Sequence, residues 1–199
     1  MFQAKNSLVL SGQISDSPTL SHQTHDITFM RFTLNVSRLS GAYDKITILT
    51  DSRLLYNLDV TPGAYVEVEG ELRSYNNKSG IGNKLLICAF AKTITQTDET
   101  HKNDLHLCGT ICKAPIYRRT PLGREICDLM IAINRRYGRA DYIPCIVWGK
   151  NAQIASDFSV GENVEISGRI QSREYIKSTD EENTIRTTYE VSVTTIELQ

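Results

Sequence analysis

The sequence repeats itself at a shift of about a hundred residues. Residues 6–14, followed by Pro18, recur as residues 103–111, followed by Pro115. The register then holds without a gap through Arg38 and Arg135, Gly41 and Gly138, Asp44 and Asp141, and Ile46 and Ile143. After one inserted residue it resumes with Gly63, Val66, Glu67, Gly70 and Ser74, which match Gly161, Val164, Glu165, Gly168 and Ser172. The chain therefore contains two copies of one unit.

A polar stretch joins the two copies. Residues 95–103 show no apolar periodicity, which is typical of a short linker between domains. We place the boundary near Thr100 and predict two domains, residues 1–99 and residues 100–199.

Within each copy the apolar residues alternate with period two, which predicts half-buried β-strands. In the second copy the predicted strands are Asp104–Cys112, Ile126–Asn134, Tyr142–Trp148, Asn163–Tyr175 and Thr188–Leu198. Between the third and fourth strands, Ile154 and Phe158 lie four residues apart, as on one face of a helix. The first copy has three leucines in the corresponding place, Leu54, Leu55 and Leu58.

Five strands with a helix between the third and the fourth is the arrangement of an OB-fold barrel. The predicted fold class is therefore all-β with one short helix per repeat, organised as two tandem five-stranded OB-fold barrels.

The alternation also assigns faces in the second copy. Ile143, Cys145 and Val147 share one parity and are predicted to point inward, so Tyr142 and Trp148 are predicted to point outward. On the fourth predicted strand the outward residues are Arg169, Gln171, Arg173 and Tyr175. The turn before the third strand adds Arg135, Arg136, Tyr137 and Arg139.

Outward aromatics interleaved with arginines suit a single-stranded nucleic acid. Bases stack on aromatic rings for about 1–3 kcal/mol each, while cations follow the phosphates. OB folds also bind proteins and oligosaccharides, so a role for these rings in covering a strand edge or an interface stays open.

Three stretches of the second copy, residues 134–137, 141–150 and 161–175, resemble bacterial single-stranded DNA-binding protein. The resemblance covers most of residues 103–198. It implies that bases stack at four aromatic positions, Tyr137, Tyr142, Trp148 and Tyr175. The predicted DNA-binding set also includes the neighbouring cations, Arg135, Arg136, Arg139, Lys150, Arg169 and Arg173.

The sequence departs from this family in two ways. Family members commonly end in a long flexible tail with an acidic tip that recruits replication proteins, whereas this sequence stops at Gln199, so recruitment of replication proteins remains open. The usual subunit has one OB domain and forms a tetramer. The resemblance therefore implies a homodimer of this chain, which would supply four OB folds.

The first copy is predicted to be degenerate. At the offsets set by the repeat, its counterparts of the four aromatics are Ser40, Lys45, Asp51 and Asn77. Parity also places Glu67, Glu69 and Glu71 on its outer face, where they would repel phosphates. The alternative is that Tyr43, Tyr65 and Tyr75 rebuild a stacking surface there.

Other classes of protein have less support. The net charge of −1 requires any positive field to be local. The five cysteines (Cys88, Cys108, Cys112, Cys127 and Cys145) lie mostly in apolar runs and are expected to be reduced. Cys108 and Cys112 would stand about 13 Å apart on a strand, and His22 and His25 have no ligand cluster around them. We expect no metal and no cofactor.

We also expect no catalysis, because the sequence shows no Walker-type loop and no nucleophile with its base. Without an apolar run long enough to cross a bilayer, or a signal peptide, we expect no membrane association and a cytoplasmic location. The predicted function is single-stranded DNA binding with low sequence specificity in replication, recombination or repair. The alternative is a protein-interaction accessory of a replication-restart or conjugation complex.

Overall fold

The segments with alternating apolar residues form long, paired β-strands. The computed structural model describes residues 5–78, 82–98, 101–178 and 183–199, and the side chains of residues 136, 175–178 and 183–185 lie outside this description. Within it the first repeat contains β1 (Lys5–Ile14), β2 (Thr19–Thr24), β3 (Ile27–Ser37), β4 (Tyr43–Asp51), β5 (Tyr65–Asn76) and β6 (Leu85–Gln96). The second contains β7 (Asn103–Ile111), β8 (Ile116–Arg119), β9 (Glu125–Asn134), β10 (Ala140–Trp148), the helix α1 (Gly149–Ser156), β11 (Asn163–Ser178) and β12 (Asn183–Leu198). The prediction of a mainly β chain is confirmed.

The two repeats share one strand order. In the first, β1 pairs antiparallel with β3 and β5, β3 pairs with β4, and β4 runs parallel to β6, which neighbours β5. In the second, β7 pairs with β9 and β11, β9 with β10, β10 runs parallel to β12, and β12 returns to β11. The equivalence read from the sequence therefore extends to the pairing of strands.

The inner parity of each repeat is buried, as the alternation predicts. Ile143, Cys145 and Val147 of β10 are at most 3 % exposed. The first repeat is built in the same way, with fully buried side chains that include Leu10, Leu34, Val36, Ile48 and Val66. Burial of these apolar side chains away from water is the main stabilising contribution.

The prediction of five strands per repeat is wrong by one, because the described residues include β2 and β8. Every residue of these two strands is exposed. They lie at the edges, held by backbone pairing to β3 and β9. A strand with no buried face has no need for alternating hydrophobicity, and so the sequence pattern did not reveal it.

The prediction of a helix in each repeat is correct only for the second. In the first repeat the described segment is a four-residue 3-10 turn, Ser52–Leu55, capped by the Asp51 carboxylate, which accepts from the Arg53 N–H at 2.9 Å. In α1 the buried residues are Ala152 and Ala155, not the predicted Ile154, which is 54 % exposed. The small alanines face the strands because they allow the helix to approach closely.

The chain divides into two compact units, and they do not follow the repeats throughout. One contains Ser7–Arg73 and Ile87–Asp104, and the other contains Met1–Asn6, Ser74–Leu86 and Leu105–Gln199. Residues of the β5–β6 hairpin are thus grouped with the second repeat. The predicted domain boundary near Thr100 stays a prediction.

Candidate nucleic-acid interface

Trp148 ends β10 and is held in a defined orientation. Its Nε1–H donates a hydrogen bond to Ser192 Oγ on β12 at 3.0 Å, and the side chain is only partly buried. Gly149 follows with φ of +58°, a conformation that favours glycine, and α1 begins there. The hydrogen bond satisfies the one polar atom of the indole and leaves its ring available for stacking.

An open pocket adjoins this indole. It is lined by Trp148, Gly149 and the end of the β8–β9 hairpin, namely Arg119, Gly123, Arg124 and Glu125. Arg119 pairs with Glu125 at 3.1 Å but remains 70 % exposed. Among the residues that the structure describes, Arg124 makes no ion pair through its side chain. Two arginines therefore border the partly exposed tryptophan.

These two arginines were missed by the sequence reasoning. The sequence did not predict β8, because an exposed edge strand shows no alternation. The β8–β9 hairpin that carries these arginines was therefore not predicted either. A signal was present, however, in the cluster Arg118, Arg119 and Arg124 around the turn-forming residues Pro121 and Gly123.

Arg169 lies on the same outer face as Trp148. It stands opposite Ser192 in the β11–β12 register, and Ser192 is the residue that accepts from the indole. Directly opposed residues of an antiparallel pair point to the same face. Arg169 is exposed, so Trp148, Arg169 and the hairpin arginines are brought together on one side of the second repeat.

The other predicted cations differ in their exposure and in their contacts. Arg173 is 55 % exposed, with its Nε 3.8 Å from Glu190 Oε1, and Gln171 donates to the same carboxylate at 2.9 Å. Arg139 and Lys150 are exposed. The side chains of Arg136 and Tyr175 lie outside the described residues, so the structure gives no position for them.

Arg135 has a different environment from the one the sequence suggested. Its guanidinium pairs with Asp141, with Nε 2.6 Å from Oδ2, and Nη2 donates to the Ser74 carbonyl at 3.1 Å. It also lies 5.5 Å from the centroid of the Tyr75 ring. Because Asp141 is fully buried, this guanidinium is committed to compensating a buried charge.

The remaining aromatics differ in exposure. Tyr142 is 48 % exposed, and its backbone N–H donates to Ser74 Oγ at 2.7 Å. Tyr137 is 97 % exposed and adopts φ of +64° in a short 3-10 turn. A positive φ is uncommon for a residue with a bulky side chain. The turn therefore holds the Tyr137 ring away from the protein surface.

The acidic face predicted for the first repeat is present, with Glu69 exposed and the other two of its three carboxylates paired. Glu67 and Glu71 alternate with the buried residues of β5, as parity predicts. Lys102 Nζ lies 2.7 Å from Glu67 Oε2, while Arg73 and Lys92 both pair with Glu71. The expected repulsion of phosphates is correspondingly reduced.

One group of residues in the described part of the chain has the composition of a metal site. Donor atoms of His106, Cys108 and Glu165 lie within 4.8 Å of one another. His106 Nε2 is 2.8 Å from Glu165 Oε1, and its Nδ1 is 3.2 Å from Ser167 Oγ. Burial and the Glu165 charge raise the pKa of the Cys108 thiol, which keeps it protonated near neutral pH. The geometry is that of a histidine–carboxylate hydrogen bond beside a buried thiol.

Trp148 and the arginines near it lie in a stretch of sequence that matches a known family. Residues 102–199 match the sequence profile of the Single-strand binding protein family. This stretch contains Trp148, the β8–β9 hairpin and the arginines of β11.

Individual relatives match over part of their length. A single-stranded DNA-binding protein of Clostridium tetani is 38% identical over 80 residues, which cover 37% of this chain and 55% of that protein. Single-stranded DNA-binding protein 3 of Clostridium acetobutylicum is 36% identical over 80 residues, covering 37% of this chain and 56% of that protein. This chain thus spans about half the length of the curated relatives it matches.

A solved structure resembles the whole chain. The crystal structure of the wild-type single-stranded DNA binding protein from Thermus aquaticus has a TM-score of 0.79 and covers 99% of this chain and 94% of its own. At 18% sequence identity this likeness shows a shared fold, and the prediction of an OB fold is confirmed. Separately, no helix among the described residues has the length and hydropathy needed to span a bilayer.

Proposed function

We propose that this chain is a tandem-OB member of the bacterial single-stranded DNA-binding family. It binds single-stranded DNA without catalysis and with little sequence preference, in replication, recombination or repair. The observation that carries the proposal is the partly exposed Trp148, oriented by Ser192 and flanked by Arg119, Arg124 and Arg169. The family match of residues 102–199 and the names of the relatives support it.

This arrangement favours single strands over duplex DNA. An unpaired base exposes both faces and can stack on an indole, whereas the bases of a duplex are already stacked on their neighbours. The arginines contribute charge along the sugar–phosphate path without reading base edges. Low sequence specificity follows, since every base has a stacking face.

We further propose that each repeat is an OB-fold barrel and that the stacking surface extends from Trp148 to Tyr142 and Tyr137. Arg169, Arg173, Arg139 and Lys150 are proposed to contact phosphates. Arg135 is proposed to act differently, by fixing Asp141 at the start of β10.

The test uses the single tryptophan of the chain as a reporter. Titrating oligo-dT at low salt is expected to quench Trp148 emission as bases stack on the indole. Replacing Trp148→Ala is expected to weaken binding by about 1–3 kcal/mol, measured by anisotropy of a labelled oligonucleotide. The control Trp148→Phe keeps a ring and should retain most of the affinity. Unchanged emission together with no anisotropy change at saturating oligonucleotide would contradict the proposal.

The rival function, a protein-interaction accessory, drew its support from the acidic outer face predicted for the first repeat. Because Lys92, Lys102 and Arg73 pair with Glu71 and Glu67, that support is weakened. We therefore propose DNA binding as the primary activity.

A further inference from the structure

The first repeat carries a row of aromatic side chains. They lie at positions other than the repeat counterparts of the predicted stacking residues. The His22 ring stacks on Phe29 with centroids 4.8 Å apart and an interplanar angle of 15°. Phe29 lies 6.1 Å from Phe90, and the Arg73 guanidinium lies 5.7 Å from the Phe90 centroid. All four belong to one compact unit. We call His22, Phe29, Phe90 and Arg73 the first-repeat row.

The row crosses the strands on their outer side. Its members come from β2, β3, β6 and β5, in a sheet whose order is β2-β3-β4-β6-β5. On β3 the inward positions Phe32 and Leu34 are buried, so Phe29 has the outward parity. His22 is exposed, whereas Phe29, on which it stacks, and Phe90 are half-buried and form the floor of the row.

The row flanks the position that corresponds to Trp148 of the second repeat, which is Asp51. Phe29 stands opposite Asp51 as Ile126 stands opposite Trp148. Phe90 stands beside Leu49 as Ser192 stands beside Ile146, the repeat equivalent of Leu49. The aromatic surface has therefore moved from the central strand to its two neighbours.

The charge around the row favours an anionic occupant. Arg31 is exposed and shares the outer parity of Phe29 on β3, and Lys92 follows Phe90 by two residues on β6. Asp51 pairs with Arg53, and Glu71 pairs with both Arg73 and Lys92, so the cations around the row outnumber these two carboxylates. Aromatic rings bordered by cations match the bases and phosphates of a single strand.

We propose that the first-repeat row is a second base-stacking site for single-stranded DNA. Its residues differ from those of the second repeat, and it replaces the expectation that the first copy lacks a stacking surface. This inference rests on the proposed function of the chain, because the row would extend the path of the same strand-binding activity to the other repeat.

The first arm of the test maps contacts in the full chain. An oligo-dT containing 5-iodouracil is cross-linked by ultraviolet light, and the modified peptides are identified by mass spectrometry. Cross-links at His22, Phe29 or Phe90 are expected in the unmodified protein and also in Trp148→Ala. Cross-links confined to the second repeat would overturn the second site while leaving the proposed function intact. Absence of binding and of any cross-link would overturn both.

The second arm removes the rings while keeping apolar volume. The double variant Phe29→Leu with Phe90→Leu is expected to bind a long oligo-dT about tenfold more weakly, since at least one stacked base is lost. Quenching of Trp148 by a short oligonucleotide should be unchanged, which reports a folded second repeat.

His22→Ala tests the exposed end of the row without touching its floor and should also weaken binding of the long oligonucleotide. The matched control is Tyr56→Ala, an exposed ring of the same repeat outside the row. Affinity equal to that of the control in both variants would overturn the second site.

Discussion

Each repeat contains a buried aspartate that pairs with an arginine. This pairing explains why the same arginine and aspartate occur at matching positions of the two repeats. Asp141 is fully buried and accepts from Arg135 and from the Ser74 backbone N–H at 2.6 Å. Asp44 of the first repeat is 1% exposed and accepts from Arg38 Nε at 2.8 Å. Each aspartate needs its arginine, because an uncompensated charge in the interior is strongly unfavourable.

Replacing Arg135→Ala is expected to lower the free energy of unfolding by about 3–5 kcal/mol, since it leaves the Asp141 carboxylate buried without its cation. Urea denaturation followed by circular dichroism measures the loss. The control Arg139→Ala removes an exposed arginine from the same turn and should change stability by about 0.5 kcal/mol or less. Equal midpoints for the two variants would show that Arg135 has no structural role.

Gly70 and Gly168 occupy matching positions in the two repeats. Glycine is needed at both because a neighbouring strand passes very close. A Cβ on Gly168 of β11 would lie 2.3 Å from the Ser192 carbonyl oxygen of β12. A Cβ on Gly70 of β5 would lie 2.1 Å from the Phe90 carbonyl oxygen of β6. In β11 the register also shifts between Ser167 and Gly168. The neighbouring backbone passes so close that no side chain fits.

Replacing Gly168→Ala is accordingly expected to destabilise the protein by about 1–3 kcal/mol, because the added methyl group forces β11 and β12 apart. Thermal unfolding monitored by circular dichroism provides the measurement. Glu174→Ala, at an exposed position of the same strand, is the control and should leave the midpoint nearly unchanged. A Gly168→Ala protein as stable as the control would contradict the close packing of these strands.

The β8–β9 hairpin offers two arginines with different environments. Arg118 is engaged by Asp128, at 2.5 Å and 3.1 Å, whereas Arg124 borders the Trp148 pocket. We expect Arg124→Ala to flatten the dependence of affinity for oligo-dT on salt by about 0.7 in log–log slope, as one phosphate contact is lost. Arg118→Ala serves as the matched variant and should leave the slope close to that of the unmodified protein. If both slopes fall equally, the hairpin acts only through its net charge.

In the folded chain, residues Ser74–Leu86 of the first repeat form one compact unit with the second repeat. Besides Ser74, Asn83 of the β5–β6 hairpin donates to the Thr187 carbonyl oxygen on β12. These residues lie in one compact unit, so cutting the chain near Thr100 would remove partners from Asp141 and from β12. The contribution of each repeat to DNA binding is therefore better compared with point variants than with separated halves.

We expect the chain to form a homodimer, because four OB folds are the number implied by the family resemblance and edge strands favour association. Light scattering should give a mass of about twice 22.4 kDa. A mass of 22.4 kDa across micromolar concentrations would contradict this expectation. Measurements with and without oligo-dT separate self-association from bridging by DNA.

Features that depend on local periodicity could be predicted before the fold was known. The repeat, the alternation that buries Ile143 and Val147, and the OB-fold order of long strands all follow from spacing along the chain. The partly exposed position of Trp148 follows from the same period, because neighbours on a strand point to opposite faces.

Features that depend on partners far away in the sequence became visible only in the folded chain. Arg135 was grouped with the DNA-binding cations, yet it compensates Asp141, which bonds Ser74 67 residues away. The first-repeat row joins Phe29 to Phe90 from strands far apart in sequence, and Arg124 lies beside Trp148 because the fully exposed edge strand β8 forms a hairpin with β9. Residue patterns report which face a side chain takes, whereas its neighbours across strands are fixed only when the strands pair.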